Sequence, residues 1–447
     1  MRLRAALLGV LLLASCVPAP EAMRALPTAA LPEARRFAGP PAATPAPANP
    51  DLARDFMALT FRLENGRALP VLSRFEGPIT VGVERVGGAR PPRTFDADLG
   101  ALLARLRAEA GLDIGPAGAG EAPSITVSLV PRDAVRGAAP DAACFVVPRV
   151  SGWRDYQRRR RSEAMDWTTL RERRRATVVL PADASAQEQR DCLHEELAQA
   201  LGPLNDLYGL AGSVFNDDNL HVVLTDRDML VLRATYDPAL RSGMDAAAVA
   251  ARLPAILDRL NPAGRRPGRA AAEVDDAAWA QAIRVALSPA RPDRARLAAA
   301  RRAAALSGGW GDGRTALSQL ALGRAATGVD AGEAARAYGR AGALYRGGDR
   351  LGAAHAALQL AAFALSTGDA PGALRLADGA VPAAAGGQNA VLLAQLLLIR
   401  AEALDLLGRG AEGARVRREG LAWGRYAWTD QELGARAGRV AALVPGA

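Results

Sequence analysis

The chain has 447 residues and a formal net charge of +9, and it contains no lysine, so all 56 cationic side chains are arginine. That length suggests two or three domains of roughly 150 residues each, and the basic balance permits contact with anionic lipid or polymer without demanding it. No apolar run beyond the N-terminal leader is long enough to cross a bilayer, and no Gly-x-Ser-x-Gly, P-loop or Gly-x-Gly-x-x-Gly stands in a convincing context.

Arg2 and Arg4 form a charged start, Ala5 to Leu13 a short apolar stretch, and Leu13-Ala14-Ser15-Cys16 comes directly after. This resembles the leader and lipobox of bacterial lipoproteins. The resemblance implies cleavage before Cys16, lipidation of that residue and membrane anchoring, with Val17 after it favouring the outer membrane facing the periplasm. An ordinary secretory signal with a chance cysteine is the alternative. Outside the cytoplasm, nucleic acid is excluded as an expected partner. Residues 17–51 are Pro/Ala-rich without apolar periodicity and are expected to form a disordered tether.

Residues 52–262 read as the first folded domain. Pro78 to Val86 alternates at period two, as a strand does. Asp96 to Ala110 carries Leu99, Leu102, Leu103 and Leu106 at helical spacing before Gly111. Ser124 to Val130, Ala143 to Val147 and Thr177 to Leu180 predict three further strands, giving a mixed sheet with helices. Cys144 and Cys192 are the two cysteines left after Cys16. In an oxidising compartment an even pair suggests a disulfide; a pair of buried free thiols is the alternative. Between the strands, Arg154 to Arg175 holds Trp153, Tyr156 and Trp167 in or beside an arginine-rich run. It is either a basic aromatic surface for an anionic partner or a solvated loop or short helix.

Ser185, with Glu188 three residues on, opens a helix, and Gly202-Pro203 closes it. Leu193, Leu197, Ala200 and Leu201 form its apolar stripe, while Cys192, Glu195, Glu196 and Gln199 gather on another face. Extended past the helix end, that face reads Glu195-Glu196-x-x-Gln199-x-x-Gly202-x-x-Asn205-Asp206. It resembles the metzincin zinc helix His-Glu-x-x-His-x-x-Gly-x-x-His with every histidine replaced. Gly212 to Asp217 then stands where metzincins carry a Met-turn, with Phe215 for the methionine. Thr225 to Tyr236 resembles the final helix of matrix-type metallopeptidases, its cap formed by Thr225 and Asp228. The same run, with Phe215-Asn216-Asp217 and Tyr236-Asp237-Pro238, resembles a domain family of unknown function found in bacterial envelope proteins. The implied fold is a metzincin-like mixed-sheet domain that has lost its zinc.

Zinc needs imidazole, thiolate or carboxylate donors, and the amide oxygens of Gln199 and Asn205 are poor ones. His194 lies on a different face from Glu195 and Gln199, and Glu196, at the general-base position, has no metal-bound water to deprotonate. No catalytic residue, metal or cofactor is therefore expected. Glu195, Glu196, Gln199, Asn205 and Asp206 either converge in a vestigial cleft that binds a peptide end, a glycan or a hard cation such as calcium, or form a solvated surface.

Residues 263–272 read as a linker and 273–447 as an all-α domain of helical hairpins. Tyr338, Ala341, Gly342, Tyr345, Gly348-Asp349, Ala354, Leu358 and Ala361 resemble one tetratricopeptide repeat, with weaker echoes at Gly368-Asp369 and Leu407-Gly408. Trp423, Tyr426 and Trp428 suit a capping core better than a binding stripe. The resemblance implies a concave face for a protein or peptide partner; a structural bundle packed on the first domain is the alternative. The expected whole is a membrane-anchored envelope lipoprotein that binds or scaffolds. A metal-dependent peptidase or peptidoglycan hydrolase with a non-standard site is the second reading.

Overall fold

A computed structural model describes residues 31–140, 142–216, 218, 220–269 and 276–446. Cys16, and with it the expected leader and lipidation, lies outside the described residues. In the first half, Asn49–Thr60 (α1) is followed by Ile79–Arg85 (β1), Phe95–Ala110 (α2), Ile114–Pro116 (β2) and Ile125–Val130 (β3). Arg132–Ala138 (α3), Phe145–Pro148 (β4), Trp153–Arg159 (α4), Ala176–Pro181 (β5), Ala186–Leu201 (α5), Asp226–Thr235 (α6) and Ala246–Leu260 (α7) complete it. The strands form a five-stranded sheet in the order β2-β1-β3-β5-β4. β1, β2, β3 and β5 run parallel, and β4 is the antiparallel edge on β5, with Val146 opposite Val178. β3 and β5 are buried along their whole length, which is why they read as continuous β-branched runs. The mixed sheet is as expected; α1, β2 and α3 are additions that the sequence pattern does not announce.

The second half is all helical: Asp276–Leu287 (α8), Asp293–Ser307 (α9), Gly313–Ala326 (α10), Ala331–Tyr345 (α11), Arg350–Ser366 (α12), Ala370–Gly386 (α13), Ala390–Leu406 (α14), Gly410–Ala427 (α15) and Asp430–Ala441 (α16). Each packs chiefly on its chain neighbours, so the array is a stack of hairpins. The turns are built from one device repeated: Asp312, Asp330, Asp349, Asp369 and Asn389 each accept a backbone N–H of the helix they open. Close approach rests on small residues facing aromatics. A Cβ at Gly352 would stand 2.6 Å from the Tyr345 ring, and one at Gly323 2.6 Å from Tyr338.

Two segments differ from the reading by composition. Residues 31–48, expected within a disordered tether, lie as an extended strap over both halves. The Arg35 N–H donates to Ala422 O and that of Ala42 to Gly386 O, Phe37 stacks on Trp423 at 4.4 Å, and the Thr44 N–H reaches Asp226 at 2.6 Å. Backbone donors and one aromatic anchor hold it, features that a Pro/Ala count does not register. The start of the 263–272 linker is likewise fastened, because Asn261 donates to Pro47 O at 2.9 Å and its turn packs on Asn49. Residues 270–272 lie outside the described residues.

Candidate functional site

The capped helix is α5. Ser185 Oγ accepts the Glu188 N–H at 3.2 Å, but the capping box is not reciprocal, since the Glu188 carboxylate is held by Arg132 at 2.7 Å. Leu193, Leu197, Ala200 and Leu201 enter the main core as their spacing predicts. Cys192, on the first turns, is joined to Cys144 in the strand-side segment before β4. The other end is closed by Arg173, which is buried and donates to Ala200 O at 2.7 Å, Gly202 O at 2.6 Å and also Gln199 O. One planar guanidinium thus satisfies the carbonyls that a helix end leaves open. Burial lowers its pKa to about 10, a value that still leaves it charged, and Trp167 lies 5.0 Å beneath it. Arg74 does the same for α6, donating to Thr235 O and Asp237 O.

The arginine-rich run is therefore divided. Arg158, Arg160, Arg161 and Arg174 are exposed, whereas Trp153 and Tyr156 are buried and Arg173 is a structural part of α5. Nothing in the spacing of Arg173, Arg174 and Arg175 marks the first as the buried one. Gly202 is fixed by proximity: a Cβ there would stand 2.8 Å from Thr235 Cγ2, where the ends of α5 and α6 meet.

On the polar face, Glu196, Gln199 and Asn205 are buried, so the solvated-surface reading does not describe them. Gln199 Nε2 donates to Asp206 Oδ2 at 3.0 Å, and Asn205 Nδ2 turns away to Ala58 O of α1 at 3.0 Å. Glu196 Oε2 is enclosed without a hydrogen-bond partner. Burial first, then the charges of Glu195 and Glu64, push its carboxyl well above the usual carboxylate range. His194 faces the core, where its Nδ1 accepts the Leu224 N–H at 3.1 Å and burial depresses its pKa. The turn at 212–216 is closed by Asp228, which accepts from Ser213 Oγ at 2.5 Å and from the N–H of Thr225 at 2.8 Å, with Phe215 fully buried above it. Asp217 lies outside the described residues.

The donor set does not fit zinc. The amide of Asn205 is spent on a main-chain carbonyl of α1, that of Gln199 on Asp206, and His194 points to the other side of the helix. Among the described residues no group of three His, Cys, Asp or Glu side chains is arranged to hold a metal.

The candidate residues are also split between two spaces. Asn205 and Asp206 line a groove of about 2820 Å³ bounded by both halves of the chain. Glu195 instead lines a smaller cavity of about 200 Å³, together with Asp191, His221, His355 and Asn389. Residues 49–255 match DUF2927, a family of proteins of unknown function. The DUF2927 domain thus holds the whole sheet, α5 and the turn beneath it. No curated protein and no solved structure matches the chain.

Proposed function

We propose that the chain is a membrane-anchored envelope lipoprotein that binds a partner in the groove between its DUF2927 domain and its helical half, and that the DUF2927 domain is a metzincin-like fold without peptidase chemistry. The groove carries this reading: its walls come from both halves, among them Asn205, Asp206 and Arg227 on one side and Trp310, Arg314 and Arg375 on the other. Arg314 lies 4.1 Å over the Trp310 ring, a cationic and aromatic surface of the kind that contributes strongly to recognition. The mixed sheet leading into α5, the Asp228-closed turn and α6 support the metzincin-like resemblance. The capped hairpins of α10 to α14 support the tetratricopeptide-like one. A fold whose ligand positions are Glu195, Gln199 and Asn205 supplies shape and hydrogen bonds to a partner but not a Lewis acid.

The experiment is site-specific photo-crosslinking in intact cells from Trp310 and Arg375, with exposed Arg93 as the control position. A discrete adduct from the groove positions alone is the expected result, and equal labelling from all three would overturn the reading. Cys16→Ser in the same cells releases the protein from the membrane fraction or leaves the precursor uncleaved; unchanged processing and fractionation would remove the anchor from the account.

A further inference from the structure

The two halves meet at a buried titratable cluster that the helix motif does not use. His221, in the loop before α6, places Nε2 at 3.1 Å from both carboxylate oxygens of Asp349. Asp349 is itself the N-cap of α12, accepting the Gly352 N–H at 3.0 Å. Their side chains are only 8% and 5% exposed. His221 and Asp349 line the large groove, and His221 also lines the 200 Å³ cavity, so this contact stands in the wall between the two spaces. Beside it the halves are tied by Gln187 Oε1, which accepts the Ala390 N–H at 2.9 Å, and by Arg190 with Gln388. We propose that the His221–Asp349 contact is a proton-controlled latch that holds the two halves closed around the groove and loosens when His221 loses its proton; this rests on the groove being the binding site.

The groups facing His221 fix the direction. Asp349 belongs to α12, as does His355; Asp218 lies on the same loop; Asp228 is on α6, Arg324 on α10 and Tyr345 on α11. Asp191 and Glu195 of α5 face the shared cavity. Burial alone would lower the His221 pKa, but Asp349 and then Asp218 raise it above its ordinary 6.5. Burial raises Asp218 from 3.8 to about 7. His355 is depressed to about 3 by burial and by Arg324, and is neutral. Burial likewise raises Asp191, Asp228 and Tyr345 above their ordinary values.

Below about pH 6.5 the trio is His221⁺, Asp349⁻ and neutral Asp218, with a net charge near zero. As pH rises through the His221 value, the cation is lost while Asp218 ionises, leaving two enclosed carboxylates to share the charge of Arg324, an arrangement that burial penalises. A raised histidine stabilises closure fully below its unfolded value and loses that contribution as pH rises. Raised Asp218 opposes closure increasingly from 3.8 up to about 7, so both slopes have the same sign. His355 sets the acid limb, because an opened state would accept the proton that the closed one refuses below 6.5. Between 3.8 and 6.5 this slope opposes that of Asp218, so closure weakens steadily only above about pH 6.5, where Asp218 and His221 act together.

Hydrogen exchange on the full-length protein, corrected for intrinsic rates and with no ligand present, reads the latch at residues 220–224 and 349–353. Between about pH 6.5 and about pH 8.5, exchange there should rise roughly tenfold, within the range of couplings between linked sites. His221→Gln should exchange faster than wild type at the lower value and show a smaller rise, the part that Asp218 still supplies. Asp218→Asn keeps the ion pair and should show a smaller rise. A flat wild-type profile, or a His221→Gln protein with the full wild-type response, would overturn the latch. Neither result bears on the groove as a binding site, which the crosslinking decides.

Discussion

The two halves solve the same packing problem with different materials. The DUF2927 domain fills its core with large side chains such as Phe56, Phe95, Phe215, Leu102 and Leu106, and it encloses Arg173, Asp228, Glu196 and His194 among them. The helical half fills its cores largely with alanine and leucine and brings its helices close over glycine. Its recurrent polar groups are the caps at its turns, of which Asp349 and Asn389 are buried. In the first half buried groups such as Arg173 and Arg74 have bespoke partners far away in the chain. In the second, a short local pattern repeats, and a defect in one turn is confined to its neighbours. The difference teaches where a single change is costly.

The largest expected effect is on the disulfide. Cys144 and Cys192 are 48 residues apart, and in the chain-entropy model closing such a loop stabilises by about 4 kcal/mol. Reduction, or Cys144→Ser with Cys192→Ser, should lower the calorimetric transition of the DUF2927 domain by that order and leave the unfolding of α10 to α14 in place. If both halves shift together, the comparison fails and the chain unfolds as one unit.

Next comes Arg173→Ala, which removes the donor shared by three carbonyls at the end of α5. Hydrogen bonds to a charged group contribute about 1.5–3 kcal/mol, so a loss of about 3 kcal/mol in urea unfolding is expected. Arg173→Lys should recover only part of it, because an ammonium cannot span the fork. Neighbouring Arg174→Ala, exposed and paired only with Glu172, should change stability by less than about 0.5 kcal/mol. Equal losses for Arg173 and Arg174 would contradict the assigned roles.

For the helical half, Gly352→Ala should cost about 1–3 kcal/mol by overpacking against Tyr345, whereas Gly339→Ala, with open space at its Cβ, should stabilise by a few tenths to about 1 kcal/mol. The comparison sharpens if the loss at Gly352 remains local in hydrogen exchange, confined to α11 and α12. A loss that spreads to α14 would mean that the array does not behave as separable hairpins.

The sequence patterns carry some of this and not the rest, for physical reasons. Strands β1, β3, β4 and β5 are legible because alternation or a β-branched run marks them, and the capping residues mark the starts of α5 and α6. Thr225 and Asp228 indeed cap each other reciprocally. β2 is only three residues long and α3 presents a single buried side chain, Val135, too little for a period to show. The Cys144–Cys192 pairing follows from the even count. The polar face of α5 is legible as a group, but its division between two spaces is not, since that depends on Ala58 and on a helical half that the motif does not mention. His221 and Asp349 are 128 residues apart, and each by itself is an ordinary loop residue. The strap at 31–48 is concealed by a composition that usually denotes disorder.

The central proposal is that α5 resembles a zinc-peptidase helix but does no zinc chemistry, and Glu196 tests it most directly. Burial raises its carboxyl above the ordinary 4.5, so the folded state retains a proton that the unfolded chain releases. Its contribution becomes steadily less favourable as pH rises from 4.5 towards the folded value. Glu196→Gln removes that opposition while preserving the shape. The measurement is the metal content and chelator-sensitive peptidase activity of gently purified protein, wild type beside Glu196→Gln, with thermal stability recorded on both. The account predicts no stoichiometric zinc, no chelator-sensitive turnover, and a variant at least as stable as wild type at neutral pH. One bound zinc per chain, with peptidase activity that chelator and Glu196→Gln each abolish, would contradict it.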